Sequence, residues 1–402
     1  MLPSHAGDEN HPVGVGMIKR GVAGFILDNA SWFPVVSVTG PRQSGKSTLV
    51  RSLFSDYAYV NLEDRPTYER VMAGPSDFIC ERPPRMIINE AQRVPELFNA
   101  IQVVSDERGT VGQYILSGSQ NYLLLRRITQ SLAGRIGLVR LMPLSYREVA
   151  LAPNEVTPDG FMLRGGYPRL YDVDIPSYVY FENYISTYVE RDVSEYVDAR
   201  SKGPFRRLLM LCAQSCGSLL NVSRLASDLG VARATIDSWL SILEASYTIF
   251  RLQPYHANLR KRLTRTPRVY FCDTGLLCHL LGVETSEQLR DSEMRGAIFE
   301  NLIVTETAKR HLNAGRTPRL FFYRDDSKIE VDLVDDSDPA GRELIEVKSQ
   351  VGFRKDFLRH LPVVGRDLGI AERRRYVVTR EADSFSVGGM KVWAARDWLM
   401  RP

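Results

Sequence analysis

Cysteine is scarce in this 402-residue chain: there are five, an odd number, with no Cys-x-x-Cys pair and no histidine-rich run beside them. That argues against a disulfide framework or a zinc ribbon and fits a reducing cytoplasm. Long apolar runs are also missing. None approaches the ~20 residues that cross a bilayer, so no membrane partner is expected. The opening "MLPSHAGDENHPVGVG" is polar, bears Gly and Pro, and lacks the apolar centre of a secretion signal. Residues 1–16 therefore read as a flexible tail. Internal repeats and low-complexity tracts are absent. Lys and Arg number 52 against 48 Asp and Glu, a net charge of +4. So small an excess neither demands nor excludes nucleic acid, and clusters of charge carry more information than the sum.

The length exceeds one ordinary core, so two or three domains are expected. Apolar runs alternate with helix-length segments from Gly21 to about Val149, which predicts a parallel α/β sheet. The strand candidates are Val35–Gly40, Tyr57–Glu63, Arg85–Glu90, Gln113–Ser119 and Gly137–Leu144. After a polar break at Ala152–Gly160 comes a helical stretch through Tyr178–Val197. Short helices with a tight turn follow from Phe205 to about Leu281. Arg295–Leu312 reads as an amphipathic helix leading into strands at Arg319–Arg324, Lys328–Asp335, Arg342–Ser349 and Arg374–Arg380.

"GPRQSGKST", Gly40–Thr48, fits G-x-x-x-x-G-K-[ST] directly after an apolar strand. Gly40, Pro41, Arg42, Gln43, Ser44, Gly45, Lys46, Ser47 and Thr48 would form a phosphate-binding loop. Its backbone N–H groups curl around an anion, and the following helix adds partial positive charge. Lys46 would neutralise the β- and γ-phosphates of ATP, and Ser47 would hold Mg²⁺. The strand end "RMIINE" supplies Glu90, placed to polarise a water, and Asn89, where a metal-supporting aspartate is usual. Asparagine brings no charge, so slow hydrolysis or weak Mg²⁺ binding is expected. Ser117, Ser119 or Gln120 would sense the γ-phosphate or simply close a turn. Arg135 would reach a phosphate of its own chain or of a neighbouring subunit, or else remain an ordinary surface arginine.

Two stretches suggest a nucleic-acid partner. Val222, Leu225, Ala226 and Leu229, then Gly230, then Val231, Ile236, Leu240 and Leu243 have a helix-turn-helix rhythm. Arg233, Thr235 and Ser238 would face outward from the second helix. Arg260, Lys261, Arg262, Arg265 and Arg268 cluster just beyond, between possible wing strands, as phosphate contacts do. A lid or subunit contact is the competing reading. Near the C-terminus, Glu300, Asp332, Glu346 and Lys348 form the series Glu…Asp…Glu-x-Lys. Glu346 and Lys348 lie on the same side of their strand. Such a set holds Mg²⁺ or Mn²⁺ in metal-dependent nucleases; the alternative is that Lys348 merely neutralises buried carboxylates.

"GPRQSGKSTL", "IINEAQRVPEL", "LSGSQ", "LAGRI", "LMPLSYREV", "YISTYVERDV", "GAIFENLIVTE" and "IEVKS", in that order, resemble the prokaryotic AAA-type P-loop ATPases that end in domain of unknown function 4143. The Glu…Asp…Glu-x-Lys series likewise resembles the PD-(D/E)xK nuclease superfamily. The resemblance implies an AAA-like core over 17–150, a helical lid or linker over 151–204, a winged helix over 205–290 and a nuclease-like α/β domain over 291–402. In that family the strand-end pair is usually Asp-Glu, so Asn89 is a departure. The function expected is a cytoplasmic, homo-oligomeric ATPase that remodels or processes DNA, with branched DNA among its candidate substrates. The alternative is a slow-turnover regulatory or toxin-like switch whose C-terminal domain contacts protein.

Overall fold

A computed structural model describes residues 17–119, 131–153, 155–189, 202–255 and 266–402. The 1–16 segment, Gln120, Arg260, Lys261, Arg262 and Arg265 lie outside the described residues, as do residues 190–197 of the expected Tyr178–Val197 helix.

The first sheet contains β1 (Val35–Thr39), β2 (Ala58–Asn61), β3 (Met86–Asn89), β4 (Tyr114–Gly118) and β5 (Ile136–Arg140). Their order is β2-β3-β4-β1-β5, and every neighbouring pair runs parallel. β1, "VVSVT", is buried throughout, as expected of a central strand covered by helices on both faces. Parallel strands bring all their carboxyl ends to one edge. The loop after β1, Asn89-Glu90 after β3 and Ser119 after β4 therefore meet there, although the sequence scatters them over eighty residues.

The second sheet holds β6 (Ile249–Pro254), β7 (Arg268–Phe271), β8 (Leu320–Arg324), β9 (Glu330–Asp335), β10 (Glu343–Val347), β11 (Arg375–Thr379), β12 (Phe385–Val387) and β13 (Met390–Ala394). Its order is β12-β13-β11-β10-β9-β8-β6-β7. Two of these strands, β12 and β13, have no counterpart among the sequence candidates. The hairpin of β6 and β7 is the wing of the helix-turn-helix, yet β6 pairs in parallel with β8, Gln253 facing Phe321. Wing and C-terminal domain thus share one sheet across the expected division at 290/291. They share a core as well: one apolar cluster runs from Phe161 and Phe181 through Phe205 and Trp239 to Phe299, Phe322 and Trp398.

The segment Met142–Glu148 ties these parts to the first sheet. Ser145 and Glu148 form a capping box on the short helix Tyr146–Ala150. The same Glu148 carboxylate accepts from Arg20 at 3.2 Å and from the Gly21 N–H at 2.6 Å. Arg20 in turn donates to the carbonyls of Ser44, in the phosphate loop, and Met142. From the helix Arg295–Asn313, Glu306 accepts the Tyr146 N–H at 2.7 Å and Lys309 donates to the Leu144 carbonyl at 3.1 Å.

Candidate functional site

The phosphate loop depends on two glycines for different reasons. A Cβ on Gly40 would sit 2.0 Å from the Leu141 carbonyl oxygen, so no other residue fits there. Gly45 has φ +88°, the left-handed region, immediately before the helix Lys46–Leu53. The Lys46 ammonium lies over the loop and donates to the Gly40 and Pro41 carbonyls at 2.9 and 2.7 Å. Ser47 Oγ donates to Asn89 Oδ1 at 2.9 Å, and Ser117 Oγ donates to the same oxygen at 2.8 Å. Asn89 Nδ2 donates to Asn61 Oδ1 at 3.0 Å. Glu90 has φ +55°, an uncommon backbone for a residue with a side chain, and one that concentrates at functional sites. Its carboxylate accepts from Gln92 at 2.5 Å and from Ser119 at 3.3 Å.

Lys46, Ser47, Asn89, Glu90 and Ser119 line a cleft of about 380 Å³. Ser47 and Asn89 stand where they would hold Mg²⁺. Lys46 and the loop N–H groups stand where they would hold phosphates, so the donor set fits a Mg²⁺-nucleotide. The far wall was missed in the sequence: Pro168, Arg169 and Asp172 come from the lid segment, and Glu63 lies beside Arg42. The available signal was "GGYPR". Gly165 has φ +76°, and a Cβ on Gly166 would meet the Leu144 carbonyl at 2.1 Å. Gly165 clears Asp273 and Gly166 lets the chain pass close under Leu144, whose N–H donates to the Gly166 carbonyl at 2.6 Å. Arg169 is thereby delivered to the phosphate side.

Arg135 takes a different place from the one expected within its own chain. It precedes β5, at the end of the sheet opposite the phosphate loop, where it makes a bidentate pair with Asp106 at 2.6 and 2.9 Å. Five residues of strand, about 17 Å, separate that end from the cleft.

In the second sheet Glu300, Asp332, Glu346 and Lys348 do converge. β9 and β10 are antiparallel neighbours, with Ile345 facing Leu333, and this register sets Glu346 beside Asp332. Lys348 Nζ lies 2.6 Å from Glu346 and 3.8 Å from Asp332. Burial, reinforced by the Asp332 charge, pushes the Glu300 carboxyl up to about 7 and Glu346 to about 8. Arg324, which flanks the set, pairs with Glu330 at 3.5 Å.

Arg268, expected on a DNA backbone, is instead buried among these carboxylates; this corrects the sequence reading. Its side chain is 6% exposed. It pairs with Glu300 at 3.1 Å, with Glu330, and with Asp332 at 3.7 Å, and its guanidinium lies over the Phe322 ring. The physical reason is that β7, "RVYF", is buried at all four positions. Its first residue therefore turns inward with the rest. The expectation of a metal at Asp332 and Glu346 meets the same obstacle. Asp332 Oδ2 accepts the Val347 N–H at 2.9 Å, Glu346 Oε1 accepts from Lys348, and Glu300 Oε1 accepts from both Arg268 and Tyr270. Only Glu346 Oε2 among these oxygens is buried without a partner. Among the described residues, no group of three or more His, Cys, Asp or Glu is arranged to hold a metal ion. This donor set does not fit a metal pair.

The helix-turn-helix is present as Val222–Leu229 and Arg233–Ala245, with Gly230 at φ +65° between them. Leu225, Ala226, Leu229, Ile236, Trp239, Leu240 and Leu243 are buried. Arg233 and Ser238 are exposed and Thr235 half-buried. Asp237 shares the outer face and lies 3.8 Å from Arg233. Among the described residues, no helix is long and apolar enough to cross a membrane.

Residues 33–150 match the AAA domain family, 158–287 match a domain of unknown function (DUF8612), and 295–398 match domain of unknown function DUF4143. Uncharacterized proteins of Mycobacterium tuberculosis and Mycobacterium bovis are 31% identical over 304 residues, 75% of this chain and 67% of theirs. An uncharacterized protein of Haemophilus influenzae is 23% identical over 282 residues, 61% of this chain and 68% of its own. Among solved structures, a Walker-type ATPase of Pyrococcus abyssi aligns with 68% of this chain and 99% of its own, with TM-score 0.44 at 15% identity. The Thermotoga maritima RuvB Holliday junction branch migration motor aligns with 57% of this chain and 87% of its own, with TM-score 0.28 at 18% identity. The phosphate loop, the AAA and DUF4143 matches and the 31% identical mycobacterial relatives together place the chain in the AAA-type P-loop ATPase family that carries domain of unknown function 4143 at its C-terminal end.

Proposed function

We propose that this ATPase acts on DNA, coupling nucleotide state at the first sheet to a DNA-holding surface on the helix-turn-helix. The observation that carries the reading is the helix-turn-helix itself. Its inner face is wholly packed, while Arg233 and Ser238 face outward. In sequence the strands of its wing flank a segment with Arg260, Lys261, Arg262 and Arg265. Basic residues that follow an outward-facing helix closely in sequence suit phosphate contacts that position a duplex. The contacts of Met142–Glu148 with Arg20, Glu306 and Lys309 supply a physical route from phosphate loop to C-terminal domain. An assembly of like subunits belongs to this reading, in which Arg135 would leave its pair with Asp106 to reach the cleft of a neighbouring chain.

The test is DNA affinity across a salt series with duplex, branched and single-stranded probes. Phosphate contacts release counterions, so log K falls linearly with log salt. Removing the charges of Arg260, Lys261 and Arg262 together should flatten that slope. Salt-insensitive binding, or none even at low salt, would overturn the reading.

Asn89 supports a second reading, a slow-turnover switch with a protein partner. Its neutral carboxamide is satisfied by Ser47, Ser117 and Asn61 and adds no charge beside Mg²⁺. Slow turnover with tight nucleotide retention, alongside absent DNA binding, would favour it.

A further inference from the structure

We infer that the C-terminal carboxylate cluster is a guanidinium-binding clasp, filled by Arg268 from the wing strand, and that this arginine excludes a divalent metal from the site. The inference stands apart from the DNA reading, since it concerns only how the chain holds itself together.

A guanidinium is permanently charged, planar, and offers five donors in a fixed fork. One such group can therefore serve several carboxylates at once, a task that a buried acidic cluster otherwise leaves to a metal. Arg268 does this for Glu300, Glu330 and Asp332, contributed by the helix Arg295–Asn313 and by β9. Tyr270, two residues on and on the same face of β7, donates to Glu300 at 2.5 Å. Phe322 lies under the guanidinium at 4.8 Å, a stacking that a hydrated divalent ion would not use. Lys348 takes the remaining side of the cluster through Glu346 and Asp332.

A divalent ion of the Mg²⁺ or Mn²⁺ type needs its oxygens at roughly 2.0–2.2 Å and in near-octahedral number. Here Glu300 Oε1, Glu346 Oε1 and Asp332 Oδ2 already accept from Arg268, Tyr270, Lys348 and the Val347 N–H, so an entering ion would first have to displace a fixed donor. The cluster accordingly joins β7 of the wing to β9 and the helix Arg295–Asn313. Wing and C-terminal domain then move as one piece, and the acidic set serves cohesion rather than phosphodiester cleavage.

The experiment is a nucleotide-free Mn²⁺ titration of the full chain followed by electron paramagnetic resonance, which reads bound against free Mn²⁺ directly. Wild type, Asp332→Asn, Arg268→Gln and the double variant are compared. The expected result is identical Mn²⁺ binding by wild type and Asp332→Asn, with a new site in Arg268→Gln that the double variant loses. A wild-type site abolished by Asp332→Asn would overturn the inference. So would an Arg268→Gln protein that melts cooperatively yet gains no site, because the arginine would then not be what excludes the metal. Should Arg268→Gln fail to fold, the comparison of wild type with Asp332→Asn still decides whether the natural cluster holds Mn²⁺.

Discussion

Asn89→Asp would restore a charge at the strand end, and its consequences can be worked from the contacts. Asn89 Oδ1 accepts from Ser47 and Ser117, and a carboxylate oxygen preserves both bonds. The other oxygen would replace Nδ2 and face Asn61 Oδ1 at 3.0 Å, acceptor against acceptor. Asn61 is not free to turn its amide over, because the same Oδ1 takes the Glu63 N–H at 3.2 Å. The substitution should therefore cost the nucleotide-free protein about 1–2 kcal/mol, the usual penalty for one lost hydrogen bond and an unpaired buried polar atom. With Mg²⁺-ATP bound the sign reverses. A unit charge about 4 Å from the metal gains about 4 kcal/mol per unit of opposite charge at an effective dielectric near 20, before the carboxylate's own desolvation is subtracted. A net gain of about 1.4–2.8 kcal/mol, or 10- to 100-fold in Mg²⁺-nucleotide affinity, is the reasonable remainder. The assay is melting temperature with and without ATP over a Mg²⁺ series, with phosphate release measured in parallel. Asn89→Asp should melt lower alone, show the larger nucleotide-dependent rise, and reach half-maximal turnover at lower Mg²⁺. An unchanged Mg²⁺ requirement would refute the assignment of Asn89 to the metal shell.

Arg169→Ala should weaken nucleotide-dependent turnover while leaving the melting temperature of the free protein almost unchanged, because the side chain is exposed at the cleft wall; an unaltered ATPase rate would remove Arg169 from the site. Glu306→Ala should destabilise the chain by about 3–5 kcal/mol, the cost of stranding a buried charge, since Lys309 pairs with Glu306 at 2.8 Å and its side chain is only 3% exposed. A melting curve reads this loss, and Glu306→Gln, which keeps a carbonyl for the Tyr146 N–H, should lose less. The raised Glu300 and Glu346 carboxyls, at about 7 and about 8, make the folded state bind more protons than the unfolded chain above the ordinary carboxyl range. Their contribution to stability is therefore full at low pH and lost as pH rises through 7 to 8. Glu346→Gln should flatten the fall in melting temperature between pH 5.5 and 8.5, and an equal slope in variant and wild type would contradict the assignment.

Some of this was legible because it is local. The phosphate loop consists of nine consecutive residues after an apolar run, and its chemistry is fixed by short-range backbone geometry. The helix-turn-helix is similarly written in the spacing of Leu225, Leu229, Ile236 and Leu240 around Gly230, and those residues are buried as the spacing requires. Asp332 and Glu346 were legible as a pair because antiparallel neighbours in sequence become neighbours in space. β12 and β13 were not, since β12, "FSV", is too short to show a period.

What the chain brings together from a distance was decided only by packing. Arg169 enters the nucleotide cleft because Gly165 clears Asp273 and Gly166 lets the lid pass under Leu144. The glycine pair signals a close approach, but nothing near Arg169 in sequence names Leu144 as the group approached. Arg135 and Arg268 both looked like arginines available to phosphate. The strand direction of β5 carries one to the far end of its sheet, and the complete burial of β7 turns the other into a carboxylate cluster. A charged side chain has no preferred partner in sequence. Its partner is whichever opposite charge the fold buries beside it, because an unpaired charge in the interior is too costly to persist. Local residue order is enough to specify the phosphate loop, the helix-turn-helix and the succession of acidic residues. The tertiary structure decided which cation meets which anion.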